Sequence, residues 1–210
     1  MILYCVRHGE SSYNIEGRLQ GQSDVPLSPL GVRQSQAVAA ALADRGIEAV
    51  YSSPLARAYQ TALPLAETLK LPVITDERLM EINVGVFQGL LRSELSERHP
   101  EEAARWASHD PDFCIPRGES RRDLMRRAEE AFDAIREAGH ARAAVVAHGG
   151  LLAAAFKVLL QIPAELNPFS LYNASISVLS WSSDVKLLTL NQTSHLQQAQ
   201  CERTANPGEL

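Results

Sequence analysis

Twice in this chain a short apolar run ends on histidine and glycine. Ile2-Leu3-Tyr4-Cys5-Val6 leads into Arg7-His8-Gly9-Glu10, and Ala143-Ala144-Val145-Val146-Ala147 leads into His148-Gly149-Gly150. A run of this length bounded by glycine reads as a buried strand. Further strand-like runs fall at 48–52, 72–75, 176–181 and 185–190, and helical patterns separate most of them. That alternation predicts an α/β fold of three layers: a mostly parallel central sheet, helices on both faces and a small helical insertion. Open sheets of this class bind ligands at the carboxyl ends of their strands, where both histidines fall.

Local signals place the helices. Ser28-Pro29 predicts a helix start, with serine as the cap and proline in the first turn, running through Ala43 to a stop near Gly46. Ser53-Pro54 predicts a second start. Leu55, Tyr59, Ala62, Ala66 and Leu69 then share its inward face, and Pro64 is expected to kink or split it. A third helix follows Gly118-Glu119-Ser120, with Leu124, Ala128, Ala131 and Ile135 inward, and ends by Gly139. A fourth follows Gly149-Gly150 and ends before Pro163. Residues 90–117 mix Ser, Glu, His, Trp and Pro around Pro100 and read as a helical insertion or cap. Residues 1–196 show no repeat or linker and are expected to form one domain. The polar, aperiodic tail from Gln197 to Leu210 is expected to be disordered.

Charge and cysteine usage narrow the function. The net charge is -5, from 20 basic and 25 acidic residues, with no block of one sign. This argues against a nucleic-acid partner. Arg121-Arg122 and Arg126-Arg127 alternate with Asp123, Glu129 and Glu130 and read as a solvated helix face. Cys5, Cys114 and Cys201 include no CxxC pair, against a disulfide framework or a zinc site. The chain opens on a strand, not a signal-type segment. Leu151 to Leu160 is interrupted by Lys157 and is too short to span a bilayer. A soluble cytoplasmic protein is expected, with no membrane partner; monomer and homodimer both stay open.

Five residues carry candidate chemistry. His8 at a strand end offers a nucleophilic imidazole, and Arg7 beside it a guanidinium to hold an anion. His148 repeats the arrangement, with glycines that allow close approach and a helix N-terminus that favours an anion. Arg57 falls in the first turn after the strand-to-helix segment 51–55. Glu81 lies among Leu79, Met80, Ile82 and Val84, where partial burial would raise its pKa.

Six segments then fall in one order: Arg7-His8-Gly9-Glu10 with Asn14; Asp24-Val25-Pro26-Leu27-Ser28 with Gly31 and Gln34; Ser52-Ser53-Pro54 with Arg57 and Gln60-Thr61-Ala62; Glu81 with Gly85 and Gln88-Gly89; Gly118-Glu119-Ser120; and His148-Gly149. From about Leu3 to His195 the chain resembles the histidine phosphatase superfamily, the phosphoglycerate mutase-like proteins. The resemblance implies a phosphohistidine formed on His8, with the other ring nitrogen held by the Gly9 carbonyl. It makes Arg7, Arg57 and His148 the positive charges on the phosphoryl group, and Glu81 the general acid and base. Asn14 would donate to the phosphate, Gln20 and Gly21 would contact substrate, and Gly149 would lie beside them. Neither a metal nor a cofactor is implied, since the spacing of His8, Glu10, Asp24 and His148 matches no short metal motif.

Departures from the mutase pattern point to a subtype. Ile82-Asn83-Val84-Gly85 stands where the mutases carry Arg-His-Tyr-Gly, residues 90–117 are short for their insertion, and Gly149 replaces their usual asparagine. The expected function is a phosphomonoesterase acting on a small phosphorylated metabolite. The alternatives are a cofactor-dependent phosphoglycerate mutase and a non-catalytic phosphate-binding or interaction module. Val84, Val86 and Phe87 make the approach apolar, while Arg92, His99, His109 and Arg117 are candidates for a substrate carboxylate. Asn191 to Leu196 resembles small bacterial phosphatases acting on phosphoserine, α-ribazole phosphate or sugar phosphates, and His195 is a candidate for return to the site.

Overall fold

Six strands form one sheet: β1 (Ile2–Arg7), β2 (Ala49–Ser52), β3 (Val73–Thr75), β4 (Arg142–Ala147), β5 (Ile176–Trp181) and β6 (Val185–Gln192), in spatial order β3-β2-β4-β1-β5-β6. The computed structural model describes residues 1–199 and 201. β3, β2, β4 and β1 pair in parallel; β5 runs antiparallel to β1, and β6 antiparallel to β5. The sheet is thus mixed. Its parallel part needs long crossovers, and the short Ser182–Asp184 link allows the β5–β6 hairpin at the edge.

The helices are α1 (Ser12–Glu16), α2 (Pro29–Leu42), α3 (Ala56–Leu69), α4 (Arg92–Arg98), α5 (Pro100–Ala107), α6 (Arg121–Glu137), α7 (Gly149–Leu159) and α8 (Ser194–Gln198). They cover both faces of the sheet. The two-residue side-chain period sends Leu3, Cys5, Ala143 and Val145 toward α6, α7 and the α4–α5 insertion. Val6, Val50, Ala144 and Val146 go toward α2, α3 and α8. Burial on both faces explains why β1 and β4 read as continuous apolar runs rather than alternating ones.

The start of α2 is as the sequence predicts, with Ser28 Oγ accepting from Gly31 N. Ser120 and Asp123 form a capping box at α6. The second predicted start differs. α3 begins at Ala56, not at Ser53-Pro54, and its buried face is Arg57, Ala58, Thr61, Ala62, Leu65 and Ala66. Tyr59, expected inward, is 38% exposed. Leu55 has extended backbone, so the helix starts after it, while Ser53 Oγ accepts from Leu55 N and also meets His148. Pro64 does not split α3, since packing of Leu65 and Ala66 into the core outweighs the lost backbone bond.

The arginine-rich face of α6 is not uniformly solvated. Arg121 is buried over the Trp106 ring, and Arg127 reaches under the chain at residues 78–81. Both flank the apolar stripe of α6, so their stems pack while their guanidinium groups find carbonyls. Gln197 and Gln198, expected in a disordered tail, belong to α8, and Cys201 is buried against the α2–α3 layer. Residue 200 and residues 202–210 of that tail lie outside the described residues. Among the described residues no helix is long and apolar enough to cross a membrane.

Candidate active site

The strand order creates the site. β1 and β4 are neighbours with Arg7 opposite Ala147, so the residues that follow them meet. The rings of His8 and His148 lie 5.2 Å apart, centroid to centroid. β2 flanks β4 on its other side with Ser52 opposite Val146, which sets Ser53 against His148. β5 runs the other way, so the chain entering it, Leu171 to Ala174, arrives at the same end of the sheet.

His8 is locked in one tautomer. Its Nδ1 lies 2.7 Å from the Gly9 carbonyl oxygen, which must accept a hydrogen, and this leaves the lone pair on Nε2. Arg57 Nε donates to that Nε2 at 3.3 Å. The loop is held from all sides. Gly9 N donates to Thr61 Oγ1, while Asn173 Nδ2 and Ala174 N both donate to the His8 carbonyl oxygen. Ser28 Oγ donates to Glu10 Oε1, and Glu10 N donates to Gln34 Oε1. Gly31 lets α2 close on this loop: a Cβ there would sit 2.0 Å from the Glu10 carbonyl oxygen.

Two guanidinium groups flank the imidazole, and both are buried. Arg7 Nη1 donates to the Leu171 carbonyl oxygen at 2.6 Å, and Gly149 packs against the guanidinium face, where a Cβ would approach to 3.4 Å. Arg57 donates to the carbonyl oxygens of Ser23 and Gly21, each at 2.8 Å. Burial, then Arg57 and Arg7, hold His8 well below the usual histidine pKa. His148 is held down by burial first, then by Arg57, His8 and Arg7. Its Nε2 meets Ser53 Oγ at 2.8 Å, and its Nδ1 is buried without a hydrogen-bond partner.

Glu81 is held at the N-terminus of α7, which follows His148. Its carboxyl oxygens accept from Ile82 N at 2.9 Å and from Gly150 N and Leu151 N, each at 3.0 Å. The last two are the open N–H groups of α7, so the helix end expected to attract a ligand anion holds this carboxyl group instead. Arg127 fixes the backbone beneath it, donating to the carbonyl oxygens of Arg78, Met80 and Glu81. Glu119 pairs with Arg127 and accepts from Asn83 N. A narrow cleft lined by Leu19, Gln20, Gly21, Arg57, Ile82 and Val84 leads to Glu81. Among the described residues no three His, Cys, Asp or Glu side chains converge as a metal-binding group.

Known proteins resemble this chain in sequence and in fold. The model of the histidine phosphatase superfamily (branch 1) matches residues 3–193. The chain belongs to the histidine phosphatase superfamily. A Proteus mirabilis protein named as a probable phosphoglycerate mutase is 38% identical over 185 residues, 86% of this chain and 85% of its own length. Phosphoserine phosphatase 1 of Hydrogenobacter thermophilus is 34% identical over 197 residues, covering 92% and 93%. Among solved structures, a mycobacterial glucosyl-3-phosphoglycerate phosphatase superposes with a TM-score of 0.82 at 34% identity, covering 91% of this chain and 99% of that one. The protein is accordingly a hydrolase of the histidine phosphatase family.

Within this histidine phosphatase the structure gathers His8, Arg7, Arg57, His148, Gly149 and Glu81 in one place. The other candidates are placed around it. His148, expected to carry positive charge, has its pKa lowered by burial and by the two guanidinium groups beside it. Asn14 Oδ1 is engaged by Ser11 N, Ser11 Oγ and Asn173 Nδ2. Gln20 lines the cleft and accepts from Ser11 Oγ; Gly21 lines it and anchors Arg57 through its carbonyl. His195 does not reach the site. It is buried, its Nε2 meets the Ala174 carbonyl oxygen at 3.0 Å, and burial lowers its pKa. Arg92, His99, His109 and Arg117 are absent from the cleft lining, and Phe87 is buried against His99.

Sequence reasoning missed Ser53, Arg127, Glu119 and Asn173 as parts of the site. Ser53 carried a usable signal, a hydroxyl one residue past a strand end. Arg127 was hidden by its charge-alternating surroundings. Asn173 had no local signal.

Proposed function

We propose that the protein is a phosphomonoesterase that hydrolyses a small phosphorylated metabolite through a phosphohistidine on His8. The observation that carries this reading is the His8 Nδ1–Gly9 contact at 2.7 Å, which presents the Nε2 lone pair between two buried guanidinium groups. Nε2 attacks phosphorus, the ester P–O bond breaks, and Glu81 protonates the departing oxygen. The transferring group is loose and negative, so fixed positive charge from Arg7 and Arg57 supplies most of the stabilisation. Water then attacks the phosphorus of the P–N bond, Glu81 takes its proton, and inorganic phosphate leaves His8 unmodified.

His148 acts as a neutral donor. Leu55 N donates to Ser53 Oγ at 3.3 Å, so the Ser53 hydroxyl hydrogen is available for His148 Nε2. The imidazole hydrogen then resides on Nδ1, the buried nitrogen, and serves a phosphoryl oxygen. Glu81 alternates between two forms. Its three N–H donors favour the carboxylate, whereas burial and an arriving phosphate dianion favour the acid. The substrate's own charge thus loads the proton that its leaving group requires.

The names of the relatives favour substrates related to phosphoserine and phosphoglycerate derivatives. The mutase reading rests on the name of the Proteus mirabilis relative. Against it, Ile82 and Val84 are buried and Asn83 Oδ1 is occupied by Gly85 N, so the segment after Glu81 directs little polarity at a second substrate group. A phosphate-release screen over phosphoserine, 3-phosphoglycerate, sugar phosphates and α-ribazole phosphate, without added metal, tests the reading. Release should vanish in His8→Ala; comparable release by that variant would overturn the mechanism. Rapid conversion of 3-phosphoglycerate to 2-phosphoglycerate, with 2,3-bisphosphoglycerate supplied, would establish the mutase instead.

A further inference from the structure

Away from the phosphate-facing histidines, two more cations are buried together. Arg121, in the first turn of α6, and Lys157, near the end of α7, are each about 5% exposed and line one cleft with Met125, Gly150, Ala154 and Asn167. Arg121 lies over the Trp106 ring at 3.5 Å from its centroid, and its Nη2 donates to the Trp106 carbonyl oxygen at 3.1 Å. Its Nη1 is buried with no hydrogen-bond partner among the described residues. Lys157 Nζ donates to the Ala164 carbonyl oxygen at 3.2 Å, which uses one of its three hydrogens.

Neither cation has a carboxylate within ion-pair distance among the described residues. Asp110 acts on Arg121, and Glu165 on Lys157, only at longer range. The strain shows in their protonation. Burial pushes Arg121 down to about 10, and burial followed by the Arg121 charge lowers Lys157. Two buried like charges without a counter-charge are unfavourable unless an anion joins them.

We infer that this cleft is an anion site, in which Arg121 Nη1 and Lys157 Nζ together hold one small, singly charged anion: a halide or the carboxylate end of a small acid. Size sets the class, because the cleft has room for little more than one water-sized group, too little for a tetrahedral phosphate. The site is separate from the cleft that leads to Glu81. Their linings share no residue, and Gly150, which lines this cleft, turns its N–H to Glu81. An anion here ties α5, through Trp106 and Arg121, to α6 and α7, so its first effect is on stability.

Bromide and formate are the probes. In crystals soaked with bromide, an anomalous peak is expected within hydrogen-bond reach of both Arg121 and Lys157. In solution, replacing gluconate by bromide or formate at fixed ionic strength should raise Tm, by roughly 5–10 °C at saturation. Arg121→Met removes the rise but also the stacking on Trp106, so Lys157→Met is the deciding variant, and it should lose most of the anion-dependent rise. A rise with bromide alone assigns a halide site, and one with formate alone a carboxylate site. Equal rises in wild type and Lys157→Met, no rise with either anion, or bromide peaks confined to other positions would overturn the inference.

Discussion

Replacing Ser53 by alanine tests the assignment of His148 as a neutral Nδ1 donor. Ser53 is fully buried, and its Oγ is the partner of His148 Nε2 at 2.8 Å. The variant leaves that ring nitrogen without its donor and Leu55 N without its acceptor in a buried site. One such loss costs about 1–3 kcal/mol of stability. The larger effect falls on catalysis. Without the hydroxyl nothing holds the imidazole hydrogen on Nδ1, and a shift to Nε2 turns a lone pair toward the phosphoryl oxygens. Removal of one preorganised donor costs about 10²–10³ in kcat, and the same loss is expected here, with KM for the best substrate changing far less. Nitrogen-15 NMR of the histidine rings reads the tautomer directly: wild type should show His148 protonated at Nδ1, and Ser53→Ala should show Nε2. A Ser53→Ala enzyme that keeps the Nδ1 tautomer and a kcat within about threefold of wild type would refute the reasoning, since the oxyanion-donor argument demands far more.

Four further outcomes follow from the same geometry. Glu81→Gln should slow esters with poor leaving groups far more than nitrophenyl phosphate in steady-state assays, and equal losses on both would remove Glu81 from the acid role. Arg127→Met deletes three bonds to backbone carbonyls and the Glu119 pair; a loss of about 3–5 kcal/mol in urea unfolding is expected, and a loss below about 1 kcal/mol would show those bonds to be redundant. Gly31→Ala places its Cβ 2.0 Å from the Glu10 carbonyl oxygen, so α2 must shift, with lower Tm and lower kcat measured together. His8 and His148 have lowered pKa values in the fold, so the unfolded chain binds protons first and stability falls on acidification. Between pH 7.5 and 5.5 each costs about 1.4 kcal/mol, starting near the free histidine pKa of about 6.5; urea midpoints that are flat across this window would contradict their burial as neutral rings.

Much of the scaffold was legible because its signals are local. Short apolar runs marked the strands, two of them ending at His-Gly, and Ser28-Pro29 and Ser120 marked two helix starts through caps that act within three residues. The second helix start was misread for an equally physical reason. Ser53 has the chemistry of a cap and accepts from Leu55 N, but Leu55 stays extended and the same hydroxyl also meets His148 after a distant strand. Arg121 and Arg127 were misread alike: charge alternation describes a solvated helix until neighbouring chain covers it. Tyr59 followed from a smaller phase error: Ala62 and Ala66 are buried as expected, but the stripe also takes in Ala58, Thr61 and Leu65, which leaves Tyr59 at its edge.

The site divides along the same line. The sequence alone determined which groups were available: a histidine after β1, another after β4, Arg57 after β2 and Glu81 between apolar residues. Their motif order was enough for the family resemblance. Only the tertiary structure decided what each became, because that depends on strand order. Placing β4 between β1 and β2 brings His148 to His8 on one side and to Ser53 on the other. Reversing β5 delivers Asn173 and Ala174 to the His8 backbone. Protonation states belong to this second level as well. A histidine's charge is set by burial and by the cations beside it, and the residues that create both lie far away in the chain.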